Sequence, residues 1–420
     1  MKESIKKRIE AVRHGEVPEG YTRTDSGVMP EEWPNSTIGK IIVFHSEKST
    51  INNQYPVLTS ARSGLALQTE YFEDQVTREE NAGYNVIPRG YVTYRSRSDD
   101  GRFIFNQNQI VEKGIVSCFY PVFRIIEDLA DPTFVLSYLN NYLGRQIMKE
   151  IVGTSQLVLS EKKLSALRLP CPPLAEQQKI AEILATCDRV IELKRQLLAE
   201  KRQQKQWLMQ KLLDPNSGMR MPGFECSKWM ETPLTSICKF VGGGTPDTSN
   251  EHYWNGTIPW ISSADLQDGN IHSIQTTRFI TEEAVRNSAT RICPKDSILI
   301  ISRVGVGKIA IAPVELCTSQ DFTNLVDVKG NLYFITHQIQ REIQRILAIS
   351  QGTSIKGIAS KEIKAMAINL PSRSEQDAIA KVLECSDREI SLCGAEIEAW
   401  QQKKKALMQL LLTGLVRVNA

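Results

Sequence analysis

Two long stretches of the chain repeat apolar positions at alternating spacings of four and three. The first seam is Ile180, Leu184, Cys187, Ile191, Lys194, Leu198, Lys201, Lys205, Leu208, Leu212; the second is Ile379, Leu383, Ser386, Ile390, Cys393, Ile397, Trp400, Lys404, Leu407, Leu411. A mean spacing of about 3.5 residues is typical of a coiled coil. The pattern predicts two helices of about 40 residues, each roughly 60 Å long. We expect them to pair antiparallel within the chain; pairing between chains and an ordinary core-facing stripe are the alternatives.

The second half of the chain repeats the first at a fixed offset of 199 residues. Gly153-Thr154-Ser155 recurs as Gly352-Thr353-Ser354, and Glu176-Gln177 recurs as Glu375-Gln376. The register needs no gap from Gly153 to Leu213. A period of this length is too long for a solenoid and indicates duplication of a domain.

The segments between the seams predict mixed α/β domains. Short β-branched runs such as 41–44, 115–119, 298–301 and 309–311 predict strands, and 134–151 and 332–349 predict a helix in each copy. Strands and helices do not alternate regularly, which disfavours a doubly wound sheet. The predicted fold class is α+β, with two duplicated mixed α/β domains separated by a pair of long antiparallel coiled-coil helices. The predicted parts are an N-terminal extension (1–28), a first domain (29–169), a central helix (170–214), a second domain (215–371) and a C-terminal helix and tail (372–420).

Several classes of function are excluded by features that the sequence lacks. The 420 residues carry a net charge of +3, and no apolar run is long enough to cross a membrane. The nine cysteines include no CxxC pair and the five histidines show no ligand spacing, so we predict no metal site and no disulfide framework. No Walker A, GxGxxG, HExxH or GxSxG motif is present. These patterns predict a cytoplasmic, non-catalytic recognition component without a cofactor or membrane partner.

Several motifs resemble one known family. The stretch LPCPPLAEQQKIAEIL at 169–184, the KLL at 211–213, the LLTGLVRV at 411–418 and the GGGTP at 242–246 followed by IPWI at 258–261 carry the resemblance. They are similar to conserved regions of the specificity subunit of type I restriction–modification enzymes. Together with the duplicated plan, the motifs cover nearly the whole chain.

The resemblance implies a function and a set of partners. Each mixed domain would be a target-recognition domain that reads one half of a bipartite, asymmetric sequence in double-stranded DNA. The paired helices would set the gap between the half-sites and dock two modification subunits, which carry the S-adenosylmethionine site and methylate adenine. Motor/nuclease restriction subunits would complete the enzyme. A stand-alone DNA-binding regulator and a non-DNA coiled-coil adaptor are the alternatives.

Candidate DNA-contacting residues are those able to make paired hydrogen bonds in a groove, together with their polar neighbours. The candidates are Arg62, Ser63, Tyr94, Arg95, Arg97, Gln107, Asn108, Thr245, Ser262, Ser263, Arg303 and Lys308. In the sequence comparison of the two copies, Arg303 lies opposite Arg95. A solvated turn with structural ion pairs is the alternative for each residue. For the two Gly-Thr-Ser motifs, a turn or a helix cap competes with a phosphate contact.

The charge of each domain bears on how DNA is held. Residues 30–173 contain 15 Lys and Arg against 16 Asp and Glu, and residues 222–374 contain 15 against 14. Because phosphate attraction dominates DNA affinity, near-neutral domains predict weak binding by the isolated chain. We therefore expect the partner subunits to supply much of the phosphate attraction.

Overall fold

The chain divides into two compact units that share two long helices. A computed structural model describes residues 3–71, 80–150, 157–349 and 357–418. Unit 1 comprises Met1–Lys194 and Glu396–Ala420, and unit 2 comprises Arg195–Ala395. Both Gly-Thr-Ser motifs lie outside the described residues. The five-part domain division stays a prediction.

Unit 1 contains five whole helices, parts of two long helices and fourteen strands among its described residues. The helices are α1 (Glu3–Arg13), α2 (Gln68–Tyr71), α3 (Pro132–Tyr142), α4 (Gly144–Glu150), α5 (Glu161–Ala166) and the first part of α6 (Leu174–Leu212). The strands are β1 (Tyr21–Thr24), β2 (Gly27–Pro30), β3 (Asn35–Thr37), β4 (Ile42–His45), β5 (Leu58–Ala61), β6 (Gly64–Leu67), β7 (Asn85–Pro88), β8 (Val92–Tyr94), β9 (Arg97–Ser98), β10 (Phe105–Gln107), β11 (Lys113–Val116), β12 (Val122–Ile125), β13 (Leu157–Val158) and β14 (Arg168–Pro170). The C-terminal part of the second long helix also belongs to this unit.

Unit 2 is built from the second copy of the same pattern. Its helices are the rest of α6, then α7 (Leu234–Ile237), α8 (Glu282–Arg286), α9 (Leu332–Ile349), α10 (Ser360–Ala365) and the first part of α11 (Arg373–Leu412). Its strands are β15 (Met230–Pro233), β16 (Lys239–Gly242), β17 (Ile258–Ile261), β18 (Arg278–Ile280), β19 (Ile292–Cys293), β20 (Ile298–Ile301), β21 (Ile309–Ile311), β22 (Leu316–Thr318), β23 (Phe322–Val326) and β24 (Ala367–Leu370). Short 3-10 turns cover Ile38–Lys40, Glu251–Trp254 and Ser263–Asp265.

Each unit is organised around an antiparallel sheet of four strands. The order is β10-β8-β12-β4 in unit 1 and β21-β20-β23-β16 in unit 2. In unit 1 the inward positions carry Tyr94, Phe105 and Phe123, which pack against one another in a buried aromatic cluster. Unit 2 fills its sheet with aliphatic residues, and all four residues of β20 are buried. The two units therefore share a topology although their core residues differ.

Unit 2 carries a second sheet, of order β18-β17-β22-β19, in which β17 and β22 run parallel. The GGGTP motif packs against this sheet, and Gly244 N donates to Thr318 O at 2.8 Å. A Cβ on Gly243 would lie 1.9 Å from Ser319 O, and one on Gly244 would lie 2.4 Å from the backbone N of Thr290. The motif is glycine-rich because the two backbones approach more closely than any side chain allows.

The Glu of the repeated Glu-Gln motif anchors each long helix to its unit. Trp33 Nε1 donates to Glu176 Oε2 at 3.2 Å in unit 1, and Trp229 Nε1 donates to Glu375 Oε1 at 3.2 Å in unit 2. Both carboxylates are buried. The same indole–carboxylate contact is thus made twice, which gives a structural reason for the repeated Glu.

The Gln of the same motif joins each long helix to the residue just before α3 or α9. Gln177 Oε1 accepts from Asp131 N at 3.0 Å, just before α3, and Gln376 Oε1 accepts from Asn331 N at 2.9 Å, just before α9. Both glutamine side chains are buried, so these bonds also satisfy their amide oxygens, which would otherwise lack a partner in the interior. The motif therefore sets how each domain is mounted on its helix.

The C-terminal tail closes unit 1. Gly414 has a φ of +69°, ends α11 in the left-handed region, and its carbonyl accepts from Tyr21 Oη at 2.7 Å. Arg417 then makes a two-bond ion pair with Glu176, from Nε to Oε1 at 2.7 Å and from Nη2 to Oε2 at 2.8 Å. These hydrogen bonds raise the pKa of Arg417 above its ordinary value. The tail therefore neutralises the buried carboxylate that holds Trp33.

Ion pairs show that α6 and α11 run antiparallel within each unit. In unit 1, Asp188 pairs with Lys404 and Lys194 with Glu396, both at 2.6 Å. In unit 2, Lys201 pairs with Glu389 at 2.8 Å and Lys205 with Asp387 at 2.5 Å. Residue numbers rise along α6 as their partners fall along α11, which confirms the predicted antiparallel pair within one chain. The lysines in the predicted seam are the residues that make these ion pairs.

Local predictions were partly right. The predicted helix at 332–349 matches α9, whereas the one at 134–151 is broken into α3 and α4 at Leu143. The predicted strand at 115–119 was wrong at its end, because the chain leaves the ladder after Val116 and turns at Ser117 to Tyr120. Among the described residues, no helix combines the length and apolar character that a bilayer span requires.

Candidate nucleic-acid interface

In unit 1 an exposed arginine is presented where the chain leaves strand β8. Ser96 N donates to Phe119 O at 3.2 Å, and Ser96 O accepts from Leu159 N at 2.9 Å. These bonds tie down the residue immediately before Arg97. The Arg97 guanidinium extends into solvent and lies 4.6 Å from the centre of the Phe119 ring. A cation is therefore held at a defined position on the end of the sheet.

Unit 2 repeats this arrangement at Ser302 and Arg303. Ser302 N donates to Asp321 O at 2.8 Å, and Ser302 O accepts from Ile358 N at 2.8 Å. Arg303 is exposed, like Arg97. The matching hydrogen bonds place Arg303 opposite Arg97, so its sequence match to Arg95 was wrong by two residues. The strands and turns of the two units differ in length, which hides this register in the sequence.

Other unit 1 candidates gather beside Arg97. Arg62 lies with Ser63 in the exposed β5–β6 turn and makes an ion pair with Asp100. Asp100 also accepts from Ser98 Oγ at 3.0 Å and Arg102 N at 3.2 Å, and the Arg102 backbone bond, first of all, lowers the pKa of Asp100. The structure thus brings the β5–β6 turn and the 97–102 segment together, and Arg95 is also exposed.

Three of the unit 1 candidates make hydrogen bonds that stabilise the unit itself. Tyr94 is fully buried and donates from Oη to Leu159 O at 3.1 Å, and burial raises the pKa of its phenol. Asn108 is fully buried and donates to Ile87 O at 2.9 Å. Gln107 is half-buried and donates to Gly90 O at 2.8 Å. These side chains therefore support the fold beneath the surface that presents Arg97.

In unit 2, Ser262 belongs to a network centred on an arginine that the sequence did not single out. Arg278 Nη2 donates to Ser262 Oγ and to Asp265 Oδ2, each at 2.6 Å, and its guanidinium lies 4.5 Å from the centre of the Trp260 ring. Ser263, half-buried, opens the adjacent 3-10 turn. Arg278 is partly exposed, so it is held rigidly yet still presents donors to solvent.

Thr245 and Lys308 join the same part of unit 2. Thr245 Oγ1 donates to Gln320 Oε1, and Gln320 lies beside the Asp321 carbonyl that accepts from Ser302. Lys308 Nζ donates to Leu266 O at 3.0 Å, next to the Asp265 network. All five predicted unit 2 positions therefore cluster around the ends of β17, β20 and β22.

Sequence reasoning missed Arg102, Phe119, Arg278 and Gln320 in these clusters. Arg278 lies 13 residues from Asp265 and Gln320 lies 75 residues from Thr245, so no local motif connects them. Phe119 was assigned to a strand as an apolar residue. Only the register of the sheet reveals that it stands beside Arg97.

A second candidate site is a cavity of about 820 Å³ in unit 2. Its lining comes from α6, α9, α11 and the 267–272 segment. Two of its four cations are already neutralised, since Lys205 pairs with Asp387 and Arg341 with Asp214. The remaining charges, Arg202 and Arg388 against Asp268 and Glu384, balance. The cavity therefore lacks the net positive charge that a phosphate backbone requires.

We call the surface around Arg97 in unit 1 and the surface around Arg303 in unit 2 the two exposed edges. Their side chains suit recognition better than catalysis. Arginine, serine, threonine and amide side chains are the groups that contact phosphates and base edges in DNA. Among the described residues, no group of three or more His, Cys, Asp or Glu side chains could hold a metal ion. Two duplicated α/β units, each presenting an exposed arginine and mounted on a shared antiparallel helix pair, define a class of two-headed DNA-recognition proteins.

The comparisons agree with this class and give the family. The family model described as "Type I restriction modification DNA specificity domain" matches residues 30–201 and 226–399. The chain belongs to this family and is a DNA sequence-recognition subunit of the type I restriction–modification kind.

Relatives extend over most of the chain. A Methanocaldococcus jannaschii protein assigned as the MjaX type I restriction enzyme specificity subunit is 24% identical over 96% of this chain and 97% of its own length. The EcoR124I/EcoR124II specificity subunit of Escherichia coli is 30% identical over 54% of this chain and 56% of its own length.

Solved structures share the fold. A chain of a type I restriction–modification system matches with a TM-score of 0.57 at 17% identity, covering 92% of this chain and 99% of its own. The specificity subunit from M. genitalium matches with a TM-score of 0.52 at 16% identity, covering 90% and 96%. The two mixed units and long helices are therefore a fold that this chain shares with type I specificity subunits.

Proposed function

We propose that each unit reads one half of a bipartite, asymmetric DNA sequence through the edge that presents Arg97 or Arg303. The observation that carries the proposal is the repeated Ser-Arg pair, held by the same two backbone hydrogen bonds in both units. A guanidinium fixed at the end of a sheet can bind the O6 and N7 acceptors of guanine in the major groove. The chain itself is the non-catalytic recognition component, and it acts in the cytoplasm, where it binds double-stranded DNA.

The neighbours of the two arginines explain why the site would be asymmetric. Arg97 stands beside Phe119, whereas the backbone that presents Arg303 is bonded through Ser302 to Asp321. The backbone around the Ser-Arg pair is the same in both units, but the neighbouring side chains differ. The two units are therefore predicted to read different half-site sequences. The near-neutral charge of each domain supports binding that depends on partner subunits.

We expect two modification subunits, which methylate adenine with S-adenosylmethionine, to dock on the long helices, and motor/nuclease subunits to join them. An exposed leucine at the same repeat position of each helix supports a twofold docking surface. Leu193 is 57% exposed in unit 1 and Leu392 is 59% exposed in unit 2, and they are 199 residues apart. Isolated exposed leucines are common on protein surfaces. The docking surface is therefore inferred from the equal placement of Leu193 and Leu392 in the repeat, and not from their exposure.

A double substitution tests this docking surface. Leu193→Ser should remove one of the two modification subunits from the purified complex, and Leu193→Ser with Leu392→Ser should remove both, because each contact loses its apolar anchor. Native mass spectrometry of the complex measures the stoichiometry. Leu129→Ser, an exposed leucine outside the long helices, is the control and should leave two subunits bound. Two subunits retained by the double variant would contradict this surface.

Arginine substitutions test the reading edges. Arg97→Ala and Arg303→Ala should each weaken binding of the cognate duplex by about 1–3 kcal/mol and relax one base position, in opposite half-sites. Methylation of a library of variant sites by the reconstituted complex measures both effects. A uniform loss over all sequences with a smaller salt slope would instead identify a phosphate contact.

The overall function is tested by mapping methyladenine in a host with and without this chain. One bipartite motif should disappear when the chain is removed. Loss of no motif, with DNA binding that needs no modification subunit, would favour a stand-alone regulator. Absence of sequence-specific DNA binding with or without that subunit would favour a protein-binding adaptor.

A further inference from the structure

We infer that Phe119 is a specificity-determining residue that contacts the 5-methyl group of a thymine beside the base read by Arg97. The inference rests on the proposed function of this edge. Phe119 is 52% exposed, and it lies in the turn between β11 and β12, strands in which three of the four residues are buried. Its ring therefore projects from the end of the unit instead of entering the core that its neighbours form.

The position of the ring is set by its backbone. Phe119 O accepts from Ser96 N at 3.2 Å and from Ser96 Oγ at 2.6 Å. The ring then lies against the Arg97 guanidinium at 4.6 Å from its centre. Since Ser96 also holds the position of Arg97, one serine places an aromatic ring and a guanidinium side by side. The two groups must therefore meet adjacent features of a ligand.

The chemistry of the Phe119 ring determines which group of the DNA it can contact. Phenylalanine has no hydrogen-bond donor or acceptor, and in the major groove the thymine methyl is the apolar group that a base edge offers. Burial of one methyl contributes about fourfold in affinity. The arginine would bind a guanine, and the neighbouring ring would cover the methyl group of a thymine. Together they would recognise guanine and thymine at two adjacent positions of the sequence.

Unit 2 provides an internal comparison. The residue whose carbonyl accepts from Ser302 is Asp321, the counterpart of Phe119 in the hydrogen-bond pattern. A carboxylate can accept from the N4 amino group of cytosine but gains nothing from a methyl group. The thymine contact is therefore expected in one half-site only, the one that unit 1 reads.

The experiment replaces each thymine of the recognised duplex, one at a time, with deoxyuridine, which lacks only the methyl group. The complex of this chain with its modification subunits is titrated with each duplex. For the native chain, one replacement should weaken binding about fourfold, and the others should have little effect. Phe119→Ala should weaken binding of the unmodified duplex by a similar factor and abolish the difference between thymine and deoxyuridine at that position.

A matched control uses Leu129→Ala. Leu129 has the same 52% exposure and lies just before α3, away from Ser96 and Arg97. This variant should keep the full thymine–deoxyuridine difference.

The inference is overturned if no deoxyuridine weakens binding, or if Phe119→Ala keeps the difference between the two bases. A loss of affinity in Phe119→Ala that is equal for thymine and deoxyuridine would also overturn it, since it would show stacking or wedging instead of methyl contact. Failure of the proposed function is distinguishable, because the complex would then prefer no sequence at all.

Discussion

Seven residues inserted into each long helix should abolish methylation of the native bipartite site and create a new site with a longer gap. The insertions belong between Lys194 and Arg195 in α6 and between Ala395 and Glu396 in α11, the points in the sequence at which each helix passes from one unit to the other. Seven residues add about 10 Å of helix, or up to about three base pairs at 3.4 Å each. The half-sites themselves should be unchanged.

The positions matter because they leave each unit intact. Lys194 and Glu396 stay together in unit 1, and Lys201 and Glu389 stay together in unit 2. Seven residues make one heptad, so the apolar seam continues in phase. An insertion into α6 alone is the matched control, and it should give an unstable protein because the two helices then differ in length.

Methyladenine mapping reads the gap directly. The paired insertion should yield the same two half-sites at a greater separation. An unchanged gap, in a complex that still methylates DNA, would refute the idea that the helices set the spacing.

The sequence was sufficient for the large architecture because that architecture depends on local periodicity. The 3.5-residue seam predicted both helices, and the 199-residue offset predicted the duplication. The lysines in the seam proved to form ion pairs with acidic residues of the other helix. The Glu-Gln motif was noticed as a repeat, but its partners were not. Trp33 and Glu176 are 143 residues apart, and only the folded chain brings them together.

The reading edges were harder to predict because side-chain direction depends on register. Tyr94, Arg95 and Arg97 were all predicted to contact DNA, yet β8 continues through Tyr94 and places its ring in the core. Alternation along the chain then leaves Arg95 and Arg97 outside. The equivalence of Arg303 to Arg97 follows from bonds to Leu159 and Ile358, which lie far away in sequence.

Arg417→Ala should lower the free energy of unfolding of unit 1 by about 3 kcal/mol, which is a large part of the stability of a typical domain. The Glu176 side chain is only 4% exposed, and Arg417 supplies both of its charge-assisted bonds. Without Arg417 the carboxylate would stay buried with the Trp33 N–H and the backbone N of Val418 as donors. Arg417→Lys should recover part of the loss, because it restores the charge without the two-bond geometry.

Unit 2 supplies the control for this prediction. Arg220 lies 5.3 Å from the centre of the Trp229 ring, but its guanidinium donates to the carbonyls of Pro215 and Met219 and not to Glu375. Among the described residues, Glu375 Oε2 has no hydrogen-bond partner. Arg220→Ala should therefore cost about 2 kcal/mol, the value of its two hydrogen bonds to backbone carbonyls and less than the loss expected for Arg417→Ala.

Substitution of the two glutamates should have opposite effects. Glu176→Gln breaks a neutralised ion pair and should destabilise unit 1. Glu375→Gln removes a buried carboxylate that has no ion-pair partner among the described residues, so it should preserve or increase the stability of unit 2. Urea unfolding of the full chain, with hydrogen exchange to assign each transition to its unit, measures all of these changes. Equal losses for Arg417→Ala and Arg220→Ala would contradict the argument, because they would show that stacking on the two tryptophans, and not neutralisation of Glu176, accounts for the stabilisation.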